Sequence, residues 1–217
     1  LALSRPAGAV QANGKAVAYE PWNLTSKIKA EATSAVLEEV SFQYGPGERG
    51  AALAGSGSFD FGAQPRLRAA LSARQIDLDR LLATPDAPRR LPLAAVQGFG
   101  EMLGSALRPS WPVELSIGVD AMTVGGGVLQ AVACELRSDG EQWALDKLEF
   151  RAPGFTQVSV HGRLHPAGAG MGFAGGTNVD SNDPKNLAAW LAGRTATGPQ
   201  MRPWHASGDV TLSADRI

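Results

Sequence analysis

The residues of this chain that could do chemistry are few, and each has a plainer role. Gly170-Met171-Gly172-Phe173-Ala174-Gly175 matches G-x-G-x-x-G, a spacing that cradles a pyrophosphate only where it follows a strand and opens a helix. Here turn-like residues precede it and an alternating run follows, so a flexible hairpin loop is expected instead. Asp77 and Asp79 form D-x-D, which could hold a divalent cation. They also flank Leu78 and precede Leu81 and Leu82, where a helix start favours carboxylates, and helix capping is the reading taken. His161, His165 and His205 are too scattered to make a zinc site with one cysteine, and His161 falls on the polar side of its run. Gly55-Ser56-Gly57 puts its serine at the wrong place for a nucleophile elbow. Cys134 sits on the apolar side of an alternating run and reads as a small core residue; alone, it forms no internal disulfide. No catalytic residue, metal ligand or cofactor is assigned, and the chain is not read as an enzyme.

These side chains hang on a sheet. In residues 113–164, Val113, Leu115, Ile117, Val119 and Ala121 alternate with Glu114, Ser116, Gly118, Asp120 and Met122. Val132, Cys134 and Leu136 keep the beat; Trp143 and Leu145 precede a one-residue parity shift at Asp146/Lys147, then Leu148 and Phe150 resume, and Val158 and Val160 follow. A period of two marks half-buried strands. Gly125-Gly126-Gly127, Ser138-Asp139-Gly140 and Ala152-Pro153-Gly154 supply the hairpin turns between them. The stretch reads as an antiparallel meander with one apolar face.

Shorter runs extend it. Val17 and Tyr19 form one strand, and Leu24, Ser26, Ile28 and Ala30 mark the next. Val36, Val40, Phe42 and Tyr44 are taken as the apolar side of a third, and 51–61, 67–73, 172–179 and 204–212 complete the set. Helical spacing appears from Asp77 to Leu82, at Leu93, Val96, Phe99, Leu103 and Ala106/Leu107, and after Asp183-Pro184, where Leu187, Trp190 and Leu191 form a stripe closed by Gly193. Gly98, Gly100 and Gly104 weaken the middle helix by roughly 1 kcal/mol each, so its leucine face is expected to lean on the sheet.

Composition agrees with a β-rich chain: 26 glycines and 14 prolines in 217 residues disfavour long helices. With 20 basic against 21 acidic residues spread along the chain, no basic stripe for nucleic acid exists. The sequence opens at Leu1 and closes at Ile217 in what reads as mid-strand, so a piece of a longer protein is expected. Pro21-Trp22, Trp111-Pro112 and Pro203-Trp204 each precede an alternating strand about 90 residues apart, the spacing of a degenerate repeat. The organisation read from this is a frayed lead-in at 1–15, a first β-unit at 16–83 ending in a short helix, a linker and helix at 84–110, a second β-unit at 111–193 also ending in a helix, and a truncated third unit at 194–217. The fold class expected is mainly β: antiparallel meander repeats in a curved sheet with an apolar face, plus two or three short helices.

Certain phrases go further. Leu53-Ala54-Gly55-Ser56-Gly57-Ser58-Phe59, the run from Leu71 to Leu82, Val158-Ser159-Val160-His161-Gly162-Arg163-Leu164, and Phe173-Ala174-Gly175-Gly176 leading to Asp183-Pro184 and Leu187-Ala188-Ala189-Trp190-Leu191 together resemble the AsmA family of bacterial envelope proteins. The resemblance covers most of the chain from about Val17 onward. It implies a parent protein held in the inner membrane by an N-terminal helix that this segment lacks, with the remainder, this middle or C-terminal segment included, in the periplasm. It also implies kinship with TamB-like proteins, whose repeated β-units form a curved sheet with an apolar groove. The family is linked to outer-membrane biogenesis and glycerophospholipid movement, without a catalytic motif. The partners implied are phospholipid or other acyl chains, neighbouring β-repeats of the parent chain and, through the anchor, the inner membrane.

The apolar stripe of Leu115, Ile117, Val119, Leu136, Leu145, Val158 and Val160 therefore has two readings. It packs under the helices as an ordinary core, or part of it lines an open groove for acyl chains. The leading expectation is a non-enzymatic segment supporting lipid transfer or outer-membrane assembly; the alternative is a closed structural or protein-binding module.

Overall fold

The computed structural model describes all residues except 13–14, 48–49, 84–88, 105–110, 168–169 and 213–217, and for 9–19, 99–104 and 166–171 the backbone only. The chain forms one open, curved, mostly antiparallel sheet of eleven strands with three short helices. Its strands are β1 (Ala2–Arg5), β4 (Trp22–Ala30), β5 (Ser34–Tyr44), β6 (Ala51–Asp60), β7 (Arg66–Asp77), β8 (Val113–Val124), β9 (Gly127–Ser138), β10 (Trp143–Ala152), β11 (Thr156–Ala167), β12 (Gly170–Ser181) and β13 (Trp204–Leu212), side by side in that order. β2 (Gly8–Ala12) and β3 (Lys15–Tyr19) pair with each other in a separate two-stranded sheet. The helices are α1 (Leu78–Leu81), α2 (Pro92–Gly104) and α3 (Pro184–Leu191).

The alternation read from the sequence is the register of this sheet. Ile28 pairs with Leu37, Leu37 with Gly57, Gly57 with Ala69 and Ala69 with Leu115. The same row runs on through Leu136, Leu145, Gly162, Gly175 and Val210, so one side of ten strands is lined without a break. Gly162 and Gly175 face each other, and a Cβ built on either would come within 2.6 Å of the other's Cα. These strands approach too closely for a side chain there.

Bulges keep the face in phase. The parity shift at Asp146/Lys147 is a register shift in β10 between Leu145 and Leu148. Two more were not visible in sequence, at Glu39 in β5 and Ala131 in β9, both with φ of +50°. An inserted residue moves the beat by one. The β5 bulge corrects the reading of that strand: Ala35 and Leu37 share the face with Val40 and Phe42, while Val36 points to the other side and is exposed.

The lead-in is also more ordered than read. Ala2–Arg5 pair antiparallel with β4 as the edge strand β1, although every residue of β1 stays exposed. The residues of the glycine motif form the start of β12, not a loop.

The one parallel pair, β7 with β8, joins two antiparallel meanders. Asp77 caps α1 through its side chain, which accepts from the Arg80 N–H, and Asp183 caps α3 likewise through the Asn186 N–H, with Pro184 at the first turn. α2 reverses the expected orientation. Ala95 is 1% exposed and Pro92 and Gly98 are buried, whereas Leu93 and Val96 are 60% and 56% exposed. Positions i, i+3 and i+6 carry small residues, and this strip lets the start of the helix come close to Gly125, against Pro92, and to the buried cluster that holds Ala95. Phe99 and Leu103 lie among the residues whose side chains are not described, and Ala106 and Leu107 outside the described residues.

Under the helical end, the hydroxyls of Thr156 and Ser181 are fully buried and bond each other at 2.8 Å. Replacing Thr156 with valine orphans the Ser181 hydroxyl and is expected to cost about 1–3 kcal/mol. Adding Ser181→Ala should recover part of that loss, read as denaturation midpoints in a double-mutant cycle.

Candidate functional site

Among the described residues, the apolar face is the extended surface that the sequence and fold single out together, and the helices cover one part of it. β7 ends at Asp77 and β8 at Val124 on the same side of the sheet, so this upper end carries α1, the β8–β9 turn, the β10–β11 turn and α3. From there α2 lies over the second meander, closest to β12. Ala95 of α2 and Leu187 of α3 are buried in one cluster with Ile76, Leu78, Val119, Val124, Leu129 and Val132.

The seven stripe residues all lie on this face. Leu115, Leu136 and Leu145 form one cross-strand row; Ile117 and Val160 belong to the next, bridged by Cys134 and Leu148. Val119, opposite Val132, and Val158, opposite Phe150, sit one step nearer the helices. Val119 is buried in the helix-covered cluster with Ile117 packed against it; Leu145 is buried, and Leu115, Leu136, Val158 and Val160 are half-buried.

The first meander presents the same face differently. Leu3, Leu24, Phe42 and Leu53 form a row across β1, β4, β5 and β6. Leu24, Phe42 and Leu53 are half-buried, and Leu3 and Ile28 are exposed. Trp22 stacks in a tilted arrangement on Phe42 with centroids 6.5 Å apart at the upper end, and Phe59 packs edge-on against Trp111 at 5.7 Å at the lower end. Tyr44, beside Trp22 in the register, has its phenol pKa raised by burial and, secondarily, by Glu20. Sequence reasoning concentrated on the longest meander and missed this row. Its signal was present, since Leu24 and Phe42 alternate as clearly as Leu115 and Ile117; what was lacking was the knowledge that no comparable helix covers it.

The candidate chemical groups prove structural. Asp77 is a cap, and Asp79 accepts from the N–H groups of Gly125 and Gly126 at 2.7 Å each, clamping α1 to the β8–β9 turn. The positive φ angles of both glycines aim those two N–H groups at one carboxylate. His205 pairs with Asp180 at 2.8 Å on the exposed side, and His161 is exposed. Asp139 accepts from the N–H groups of Gln142 and Glu141 in the β9–β10 turn, which holds its carboxyl below the usual range. Among the described residues, no group of three or more His, Cys, Asp or Glu could hold a metal ion, and no helix is long and apolar enough to cross a membrane.

Burial, with a further contribution from Glu135, pushes the Cys134 thiol up to about 11. An acid whose folded pKa lies above its unfolded value keeps its full stability contribution below the unfolded pKa and loses it as pH rises through the folded one. At pH 8 the thiolate fraction is roughly a hundredfold below that of a free thiol, so iodoacetamide should label Cys134 far more slowly in the native protein than in urea, by mass spectrometry. Asp79→Ala strands the two turn N–H groups and should lower the thermal midpoint, at a cost of about 1–3 kcal/mol.

In comparisons with known proteins, no family model, no curated protein and no solved structure matches this chain.

Proposed function

We propose that the chain is a non-enzymatic, lipid-handling segment of a periplasmic, inner-membrane-anchored envelope protein of the AsmA kind, and that the uncovered half of its apolar face receives acyl chains. One observation carries this reading: Leu24, Phe42 and Leu53 line a continuous apolar face on β4–β6 and remain half-exposed, while α2 and α3 bury only the upper end of the second meander's face, at Val119, Val124 and Leu129, and leave Leu115, Leu136, Val158 and Val160 half-buried. An apolar sheet face left open to water is costly at roughly 25 cal/mol per Å², and a groove for hydrocarbon is one use that offsets the cost. Exposed edge strands at both margins, β1 and β13, fit a sheet continued by neighbouring β-repeats.

The second reading, a closed module that scaffolds other proteins, draws on the covered half, where Val119 and Leu145 are buried. The two readings differ most at the first meander, whose row carries the half-exposed Leu24, Phe42 and Leu53.

Native mass spectrometry of the chain expressed in a bacterial host separates them. Co-purified phospholipid is expected, lost on Phe42→Asp or Leu53→Asp with the melting temperature within a few degrees of the parent. A clean apo mass that gains nothing on incubation with phospholipid would establish the closed module. Val119→Asp serves as the contrast: burying a carboxylate in the helix-covered cluster should unfold the chain rather than merely empty it.

A further inference from the structure

The upper end of the sheet carries a second feature, separate from the open half of the apolar face. Arg89, Arg90, Leu91, the β8–β9 turn, the β10–β11 turn and α3 with Arg194 surround a cleft of about 550 Å³. Its lining holds three arginines and no carboxylate, in a chain whose net charge is −1. Like charges gathered in one concavity repel, and low-dielectric walls strengthen the field they present to a counter-ion.

The other polar groups of the cleft are already engaged. The Gly125 and Gly126 N–H groups are given to Asp79, the Trp190 indole N–H to the Val124 carbonyl at 2.9 Å, and the Asn186 amide to Asp183. Arg89 makes a long ion pair with Asp79, at 4.0 Å, and its side chain is mostly exposed, while each oxygen of that carboxylate also accepts one turn N–H. Among the described residues, Arg90 and Arg194 have no carboxylate within ion-pair distance. The guanidinium groups are thus the donors left over, and a planar five-donor fork suits phosphate oxygens.

Beside them stand two apolar side chains that face water. Leu91 lines the cleft half-exposed, and Phe155 lies at the tip of the β10–β11 turn, 72% exposed, with φ of +49°. A bulky residue in the left-handed region is strained, and here the strained backbone holds an aromatic ring outward at the rim of a cationic cleft.

We infer that this cleft binds a phosphate-bearing anion with an adjoining apolar group, the phosphate on Arg90, Arg194 and Arg89 and the apolar part on Phe155 and Leu91. The inference does not depend on acyl chains occupying β4–β6. The same chemistry is offered by a free phosphate compound or by a lipid headgroup, and the choice between them rests on whether the apolar rim contributes.

Isothermal titration calorimetry of the full chain carrying Phe42→Asp, which removes binding in the proposed groove, tests it with inorganic phosphate, dihexanoylphosphatidylglycerol below its micelle concentration and the zwitterionic dihexanoylphosphatidylcholine. Saturable binding of phosphatidylglycerol is expected in that background, at least fivefold weaker when Arg194→Gln or Arg90→Gln is added, and weakened by added salt. A loss in Phe155→Ser confined to phosphatidylglycerol assigns a lipid headgroup; equal binding of phosphate and phosphatidylglycerol, indifferent to Phe155, assigns a free phosphate compound at the same arginines. Arg194 and Phe155 are exposed, so circular dichroism of those two variants should match the parent and keep the result interpretable. Absence of saturable binding by either anion, equal binding of phosphatidylcholine, or binding indifferent to the arginine variants overturns the inference.

Discussion

β7 and β8 run parallel, so the chain that leaves the upper end of β7 at Asp77 must return to the lower end before Val113 can pair with Leu67. A two-residue turn cannot do this; parallel neighbours need a crossover of a dozen residues or more. That requirement brings α1 and α2 into being as a connection over the apolar face. Asp79 fastens the start of the crossover to the Gly125–Gly126 turn, and Pro92 packs against Gly125 as α2 begins. The covered half of the sheet exists because the chain had to come back across it.

Cover is unequal as a result. One crossover of thirteen helical residues spans about 20 Å, enough for part of one meander but not for eleven strands. α2 turns its small-residue strip toward Gly125 and the buried cluster, which leaves Leu93 and Val96 exposed, and α3 closes the upper end through Leu187 and Trp190. β4–β6 receive no equivalent helix, and Leu24, Phe42 and Leu53 stay half-exposed there. The same gathering of turns and helices brings the adjacent Arg89 and Arg90 and the distant Arg194 to one cleft. An apolar face and a cationic rim are both consequences of a single connection.

Bulges decide which side chains take part. Without the inserted residue at Glu39, the face of β5 would carry Val36 instead of Leu37, and without that at Ala131 the buried Leu129 and Val132 could not share a side. Each bulge also bends the strand that holds it, so phase and curvature are adjusted by the same residues. The facing glycines Gly162 and Gly175 permit close approach where a Cβ would strike the neighbouring strand.

Most of the strands, their one apolar side and the Asp77 and Asp183 caps were legible in the chain itself, because alternation and capping are local rules that act between residues a few positions apart. The parity shift at Asp146/Lys147 was legible for the same reason: the apolar beat visibly skips. At Glu39 it does not, since Val36 continues the apolar count on the wrong face. The inward strip of Pro92, Ala95 and Gly98 was read in reverse because helical spacing identifies a stripe of large side chains but not the partner, and close packing on the Gly125 turn and the buried cluster rewards small ones. Which half of the face is covered, and that three arginines meet, depends on where a connection crosses the sheet. Strand order and pairing direction set that path, and those are properties of contacts between distant residues, which only the tertiary structure decides.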